Sequence, residues 1–221
     1  MEEKFFRLIE NLKMMKINGL ILAAGLSSRI NAFKPLKKIN GKTLIETVAE
    51  LMFTSEVYNI VVVLGYRGDE IETVFRNSDF FDRIKFVYNK NYAIGDMLES
   101  VKTGVKAMPK CSAFFLALAD MPAVSKDTFI ALSKTFTDET KVVFPTLDGR
   151  RKHPVLISYD CCDDILNYNS GEGLRGIWKN YNGHIIELPL EDPGCGIDID
   201  IYTDFEDCRD YMLKYIAVSE K

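Results

Sequence analysis

The 221-residue sequence lacks several features that would assign it to common functional classes. It has no excess of basic residues, because 28 Lys and Arg stand against 32 Asp and Glu. A nucleic-acid-binding protein would normally show such an excess or a basic patch. No apolar run approaches the roughly 20 residues that are needed to cross a bilayer. We therefore expect neither a nucleic-acid partner nor a membrane partner, and any anion site must be local.

The five cysteines have neither metal-binding nor disulfide spacing. No two of them form the CxxC pair of a zinc site. Their number is odd, and Cys161 and Cys162 are adjacent, which argues against a disulfide framework. We interpret them as reduced thiols of a cytoplasmic protein. No Ser-His-Asp or Cys-His arrangement stands out either, so we expect no covalent protein nucleophile.

The first 14 residues do not have the pattern of a secretory signal, because Glu2 and Glu3 open the chain and charges interrupt the apolar residues. We interpret residues 1–14 as an N-terminal extension, either a docked helix or an optional leader before Met15. No linker, repeat or low-complexity tract follows. Residues 15–221 are therefore predicted to form one domain, which is long enough to bury a sizeable core.

Strand-like and helix-like patterns alternate along the rest of the chain. The alternation predicts an α/β three-layer sandwich with a mostly parallel sheet. Ligands of such folds bind at the carboxyl ends of the strands. The loops after the first, third and fourth strands should therefore converge on one crevice. The main predicted strands cover residues 20–23, 59–64, 84–88, 113–119 and 141–144.

Helix caps and one further acidic strand complete this prediction. Thr43, Asp69 and Ser125 could each cap a helix, because their side chains can accept hydrogen bonds from the first-turn N–H groups. The segment 197–201 is predicted to be a short strand that carries two aspartates. The last helix is expected over 203–215.

The first apolar run leads into a loop of small residues that is followed by two cations. Gly25 would let backbone N–H groups approach an oxygen closely, and consecutive N–H groups in such a loop form an anion site. Arg29 offers a planar donor fork and Lys34 a compact charge, and both suit phosphate. A turn without a ligand is the alternative. The predicted nucleotide-binding residues are Leu22, Ala23, Ala24, Gly25, Ser27, Ser28, Arg29 and Lys34, with Gly65 after the next strand.

Three aspartates could bind a metal ion. Asp120 stands where a hydrophobic strand ends, although an Asp that merely begins a turn is very common. Asp198 and Asp200 would share one face of an extended strand and would repel each other without a cation between them. Solvated acids on an edge strand are the alternative. Such carboxylates suit Mg²⁺, which also takes phosphate oxygens.

Three segments resemble motifs of the MobA-like NTP transferase family, most closely its molybdenum cofactor cytidylyltransferase branch. Leu-Ala-Ala-Gly-x-Ser-Ser-Arg and Lys-Pro-Leu, within residues 22–36, resemble its opening motif. Asp-Met-Pro at 120–122 and Asp-Ile-Asp at 198–200 resemble two later ones. The chain departs from the family at Ile30-Asn31, where members usually have Met-Gly, and at 201–203, where they have Thr-Pro-Glu.

Weaker matches concern the acceptor side of the expected site. Gly-Asp-Met at 95–97, with Ser100, resembles the family segment Gly-Met-x-x-Ser, with Asp96 as an insertion. His153 and Glu172 lie in two further family-like segments. His153 could instead be structural, and Glu172 could form an ordinary helix-surface pair. The resemblance implies acceptor binding by Gly95, Met97, Ser100, His153 and Glu172.

The resemblance implies a Mg²⁺-dependent nucleotidyltransferase with a Rossmann-like, GT-A-type sheet. Arg29, Lys34 and Asp120 would be catalytic, and Asp120, Asp198 and Asp200 would hold the metal. The enzyme would move CMP from CTP onto the terminal phosphate of molybdopterin and release pyrophosphate. CTP is favoured because cytidylyltransferase relatives have Ala-Ala-Gly, as here at 23–25, whereas guanylyltransferases usually have Ala-Gly-Gly. A molybdoenzyme is the expected receiver of the product.

Three alternatives remain open from the sequence. The first is a nucleotidyltransferase for a sugar phosphate or another phosphorylated alcohol, with the same loop and metal site. The second is a nucleotide-binding module that chaperones a cofactor with little catalysis, which the altered residues Ile30, Asn31 and 201–203 would favour. A metal-dependent glycosyltransferase fits less well, because the Asp198–Asp200 pair lies near the carboxyl terminus.

Overall fold

The computed structural model describes residues 15–25, 33–199 and 201–219. The predicted N-terminal extension (1–14) lies outside the described residues. So do Ser27, Ser28, Arg29 and Asp200.

The strands are β1 (Ile17–Ala23), β2 (Lys38–Ile39), β3 (Lys42–Thr43), β4 (Ile60–Leu64), β5 (Ile84–Tyr88), β6 (Ala113–Leu118), β7 (Val142–Leu147), β8 (Arg150–Arg151), β9 (Val155–Ser158) and β10 (Ile185–Pro189). The helices are α1 (Leu44–Thr54), α2 (Gly68–Phe75), α3 (Met97–Ala107), α4 (Lys126–Thr135), α5 (Cys162–Asn167), α6 (Leu174–Trp178) and α7 (Tyr202–Ser219).

The main sheet has the order β10-β7-β9-β6-β1-β4-β5, with β8 paired to β7. β1 is an inner strand that pairs in parallel with both β4 and β6, whereas β9 is antiparallel to both of its neighbours. The apolar runs of these inner strands suit burial on both faces. The register places Leu22 opposite both Val63 and Leu118, so the carboxyl ends of β1, β4 and β6 lie level.

Helices cover both faces of the sheet, which confirms the three-layer sandwich. Successive residues of β1 face opposite sides. Ile21 packs into a core with α1, α2 and α4, whereas Leu20 packs into a second core with α3, α5 and α6. Both side chains are fully buried. Within the described ranges, no helix is long and apolar enough to span a membrane.

Two of the three predicted helix caps are confirmed. Thr43 begins α1 with a capping box, in which its hydroxyl oxygen accepts from the Glu46 N–H at 3.3 Å and the Glu46 carboxylate accepts from the Thr43 N–H at 2.8 Å. Ser125 caps α4. The cap at Asp69 is wrong, because α2 already begins at Gly68, after a left-handed Arg67. Asp69 lies in the first turn and accepts a hydrogen bond from the Tyr88 hydroxyl.

The predicted strand over 197–201 is also wrong. A 3-10 turn covers Pro193–Gly196, and the described residues 197–199 and 201 pair with no strand. Ile199 is fully buried, but it is buried by packing against Ala123 and Cys208 rather than within the sheet. The period-two argument for two aspartates on one strand face therefore fails.

Candidate active site

One cavity lies at the carboxyl edge of the sheet, where β1, β5 and β6 end. Its volume is about 270 Å³. The predicted convergence of the loops after these three strands is thereby confirmed. The lining residues are Leu22, Ala23, Ala24, Gly25, Lys34, Pro35, Tyr92, Gly95, Asp96, Met97, Ser100, Leu118, Ala119 and Asp120.

The end of β1 presents backbone to the cavity without a side chain in the way. Ala23 and Ala24 are buried, and Gly25 is exposed. Among the described residues, which exclude 26–32, no atom lies within 4 Å of a Cβ built on Gly25, and Gly25 does not have the left-handed backbone that would require glycine. The fold itself therefore does not demand glycine at position 25. The missing side chain leaves open space for a ligand beside the backbone.

Lys34 and Asp120 form an ion pair at the cavity. Lys34 opens a 3-10 turn with Pro35 and is only 8% exposed, although it is a lysine. Its Nζ lies 3.6 Å from Oδ2 of Asp120, which follows the end of β6. A buried ammonium needs compensating charge. The pair places one cation and one anion in the cavity. The cation could contact a phosphate group, and the anion could contact a divalent metal ion.

The opposite wall comes from the loop after β5 and the start of α3. Gly95, Met97 and Ser100, which were expected to bind the acceptor, all line the cavity. Asp96 caps α3 by accepting a hydrogen bond from the Glu99 N–H at 3.2 Å. The predicted insertion at this position therefore also serves the helix.

Asn89 was not predicted, yet it orients the Ser100 side chain. Asn89 is 4% exposed, and its Nδ2 donates to Ser100 Oγ at 3.0 Å. Because Oγ accepts this bond, the hydroxyl hydrogen of Ser100 must point elsewhere and can be donated to a ligand. A polar residue directly after a predicted strand was the available sequence signal. Tyr92, on the same loop, was missed as well.

Gly65 lies behind the cavity wall and is not one of its lining residues. A Cβ at this position would come within 2.5 Å of the Ala24 carbonyl oxygen and 2.7 Å of the Tyr92 Cβ. The absence of a side chain at Gly65 therefore lets three loops pack together. Gly65 contacts Ala24 and Tyr92, and these two residues line the cavity.

His153 and Glu172 do not line the cavity. The Nδ1 atom of His153 lies 3.4 Å from the Leu116 carbonyl oxygen on β6, in a small neighbouring cleft. Burial lowers the pKa of His153, while the Leu116 carbonyl and the charge of Asp198 act in the opposite direction. Glu172 is exposed and pairs with Lys179 at 2.8 Å.

The residues present are compatible with a divalent metal ion of modest protein coordination. Among the described residues, no group of three or more His, Cys, Asp or Glu could hold a metal by itself. Mg²⁺, however, commonly takes only one or two carboxylates and completes its shell with water and phosphate oxygens. The Asp120 side chain is 29% exposed at the cavity, and its hard oxygens suit this role. Asp198 is exposed and acts electrostatically on His153.

Comparisons with known proteins agree with this architecture. Residues 19–185 match the family model described as the MobA-like NTP transferase domain. The chain is 30% identical over 194 residues to the molybdenum cofactor cytidylyltransferase of Escherichia coli (strain K12), covering 87% of this chain and 95% of that protein. It is 25% identical over 192 residues to nicotine blue oxidoreductase of Paenarthrobacter nicotinovorans, covering 83% of this chain and 92% of that protein.

A solved nucleotidyl transferase from Methanothermobacter thermautotroptrophicus has the same fold. It superposes with a TM-score of 0.77 at 23% identity, covering 90% of this chain and 99% of that one. The family model covers well over half of the chain, and it includes the loop after β1, the end of β6 and the start of α3. The chain therefore belongs to the MobA-like NTP transferase family and is a nucleotidyltransferase of that family.

Proposed function

We propose that this protein transfers CMP from CTP to the terminal phosphate of a molybdopterin-type acceptor and releases pyrophosphate. The observation that carries the proposal is the common cavity of Gly25, Lys34 and Asp120. These residues come from the end of β1, the following 3-10 turn and the end of β6. Together they offer open backbone, a cation and a carboxylate within one site.

In the proposed reaction, an oxygen of the acceptor phosphate attacks the α-phosphorus of CTP. The bond between the α-phosphorus and the oxygen that bridges to the β-phosphate breaks, and pyrophosphate leaves. Lys34 and Arg29 would stabilise the negative charge that develops on the phosphates. The backbone at Gly25 would hold the triphosphate in line for attack, so that positioning supplies much of the acceleration.

Mg²⁺ would be held by Asp120 together with Asp198 or Asp200, and when bound it would neutralise phosphate charge. The Lys34 ammonium already lies 3.6 Å from the Asp120 carboxylate, so this residue helps to orient that carboxylate. No covalent intermediate on the protein is required, because the chain's part is to bind, orient and neutralise charge.

The choice of CTP and of a molybdopterin acceptor is supported by the 30% identical cytidylyltransferase and by the shared Ala-Ala-Gly motif. We assign the acceptor to the wall formed by Gly95, Met97 and Ser100, where the Ser100 hydroxyl can donate a hydrogen bond. We also propose a cytoplasmic reaction with a molybdoenzyme as receiver, since all five cysteines are free thiols, as a reducing compartment requires.

The direct test is pyrophosphate release with each of the four nucleoside triphosphates, with and without molybdenum-loaded molybdopterin. We expect release only with CTP and acceptor together, in equal amount with a cytidylylated product identified by mass spectrometry. If release depended on a sugar phosphate instead of molybdopterin, the proposed acceptor would be wrong. If GTP were the one nucleotide of the four that gave release, CTP would be the wrong donor. Product identification is necessary because family membership alone does not fix the nucleotide or the acceptor.

A further inference from the structure

The segment that carries Asp198 is attached to the chain just beyond Asp120 by a buried carboxylate. Asp192 is 7% exposed, and its Oδ2 accepts hydrogen bonds from the Ser125 N–H at 2.9 Å and the Thr128 hydroxyl at 2.6 Å. Ser125 is the N-cap of α4, so this carboxylate lies at the positive end of that helix. The contact joins residues that are 67 positions apart in sequence.

The same carboxylate also organises its own turn. Oδ1 of Asp192 accepts from the Gly194 N–H at 2.9 Å, and the Cys195 Sγ lies 3.5 Å from Oδ2. An ionised carboxylate can only accept hydrogen bonds, and here both oxygens are used. Removing it would leave the buried Thr128 hydroxyl without this acceptor. This one side chain therefore supplies the hydrogen bonds described here between the two segments.

Two packing contacts strengthen the attachment on either side of Asp198. A Cβ on Gly194 would come within 1.9 Å of the Ala123 carbonyl oxygen, so the two backbones touch at this point. Ile199 is fully buried in the same cluster as Ala123. Ala123 lies three residues after Asp120. The exposed Asp198 is thus flanked by anchors to the segment that begins at Asp120.

We propose that Asp192 is a positioning residue for the metal site. By fixing residues 194–199 against the segment that follows Asp120, it sets the separation between the carboxylates of Asp120 and Asp198. Asp192 does not line the cavity and has no role in contact with substrate. This inference rests on the proposed function, in which these carboxylates bind Mg²⁺.

The test compares Asp192→Asn with the matched pair Thr128→Val and Thr128→Ser. Mn²⁺ binding in the presence of CTP is followed by electron paramagnetic resonance, and CTP binding without metal is followed by calorimetry. We expect about a tenfold loss of Mn²⁺ affinity in Asp192→Asn and a smaller loss, about threefold, in Thr128→Val. Thr128→Ser keeps the hydroxyl and should bind Mn²⁺ like the wild type. Metal-free CTP binding should stay within about twofold in all three, since positioning of the carboxylates affects the metal first.

Thr140→Ala serves as the structural control. Thr140 is also buried and hydrogen-bonded, to the Thr137 N–H at 3.1 Å, but it precedes β7 at the opposite edge of the sheet. Equal losses of Mn²⁺ affinity in Thr140→Ala and Thr128→Val would overturn the inference, because they would reflect general destabilisation. So would wild-type Mn²⁺ affinity in Thr128→Val, which decides the matter even if Asp192→Asn does not fold. A wild-type protein that binds no Mn²⁺ with CTP would instead remove the proposed metal site, and this inference with it.

Discussion

The aspartates at positions 120 and 198 are held in the fold in different ways. Asp120 follows a buried central strand and pairs with Lys34, so the sheet itself fixes its place. Asp198 lies on an irregular segment whose position depends on the buried Asp192 and on Ile199. Asp120 is thus positioned by hydrogen bonding within the sheet, whereas Asp198 is positioned by side-chain contacts between distant segments.

The largest effect should follow from removing the strand-end carboxylate. We expect Asp120→Ala to lower kcat for pyrophosphate release by about 10³-fold, because a group that acts on transition-state charge is lost. The variant should be less stable than the wild type, because the buried Lys34 ammonium loses the Asp120 carboxylate. The check is single-turnover kinetics together with a thermal unfolding curve. Activity within twofold of the wild type would remove Asp120 from the metal site.

The partner cation should come next. Lys34→Met removes the buried ammonium while it keeps most of the side-chain volume, and we expect kcat to fall about 10²-fold. Lys42→Met is the matched control, because Lys42 is exposed and pairs with Glu50 at 2.6 Å. Exposed ion pairs contribute little, so the control should retain full activity. Equal losses in both variants would contradict a role of Lys34 at the phosphates.

Asp198→Asn tests directly whether the second aspartate contributes to metal binding. We expect about a tenfold rise in the Mg²⁺ concentration needed for half-maximal rate, a smaller effect than at Asp120. The smaller effect is expected because Asp200 offers another carboxylate two residues later in the sequence. The measurement is a Mg²⁺ titration of the initial rate at saturating CTP. Asp120→Asn is titrated in parallel, and a larger rise in the required Mg²⁺ concentration for Asp198→Asn than for Asp120→Asn would reverse the comparison.

A further variant pair separates the cavity wall from the protein surface. Ser100→Ala should raise the KM for the acceptor about tenfold, because one hydrogen bond to a charged ligand is lost. Glu172→Gln should change this KM by less than about twofold, since Glu172 is exposed and already pairs with Lys179. Steady-state kinetics with varied acceptor measures both. A larger effect at Glu172 would restore the acceptor role that its motif implied.

The smallest effect concerns pH and His153. Burial lowers the pKa of His153 in the folded state, so the unfolded state binds more protons as pH falls through the ordinary histidine range. The free energy of unfolding should therefore decrease between about pH 7.5 and pH 5, and His153→Gln should weaken that decrease. His184→Gln, at the other histidine, is the control. Identical pH profiles in wild type and His153→Gln would contradict this account.

Several parts of the fold that depend on local sequence patterns were predicted correctly. The strand runs, the caps at Thr43 and Ser125 and the crevice lined by Gly25, Lys34 and Asp120 were predictable, because they follow from local patterns and from parallel topology. The roles of these residues stay predictions.

The strand at 197–201 was predicted wrongly, because alternating apolar residues cannot distinguish pairing within a sheet from burial in a loop. Ile199 is buried by Ala123, which is far from it in sequence, and by Cys208, which belongs to α7. Asn89 and Asp192 were missed because their hydrogen-bond partners are distant in sequence. Their partners, Ser100 and Thr128, are 11 and 64 positions away, and no local pattern joins them.

The central claim is that CTP binds in the cavity between the end of β1 and Asp120. A crystal structure with Mg²⁺ and a CTP analogue that cannot be cleaved between the α- and β-phosphates tests it most directly. We predict that the triphosphate lies against the backbone of Gly25 and near Lys34, with the metal ion on Asp120. A nucleotide bound at another surface, with Asp120 remote from its phosphates, would contradict the account.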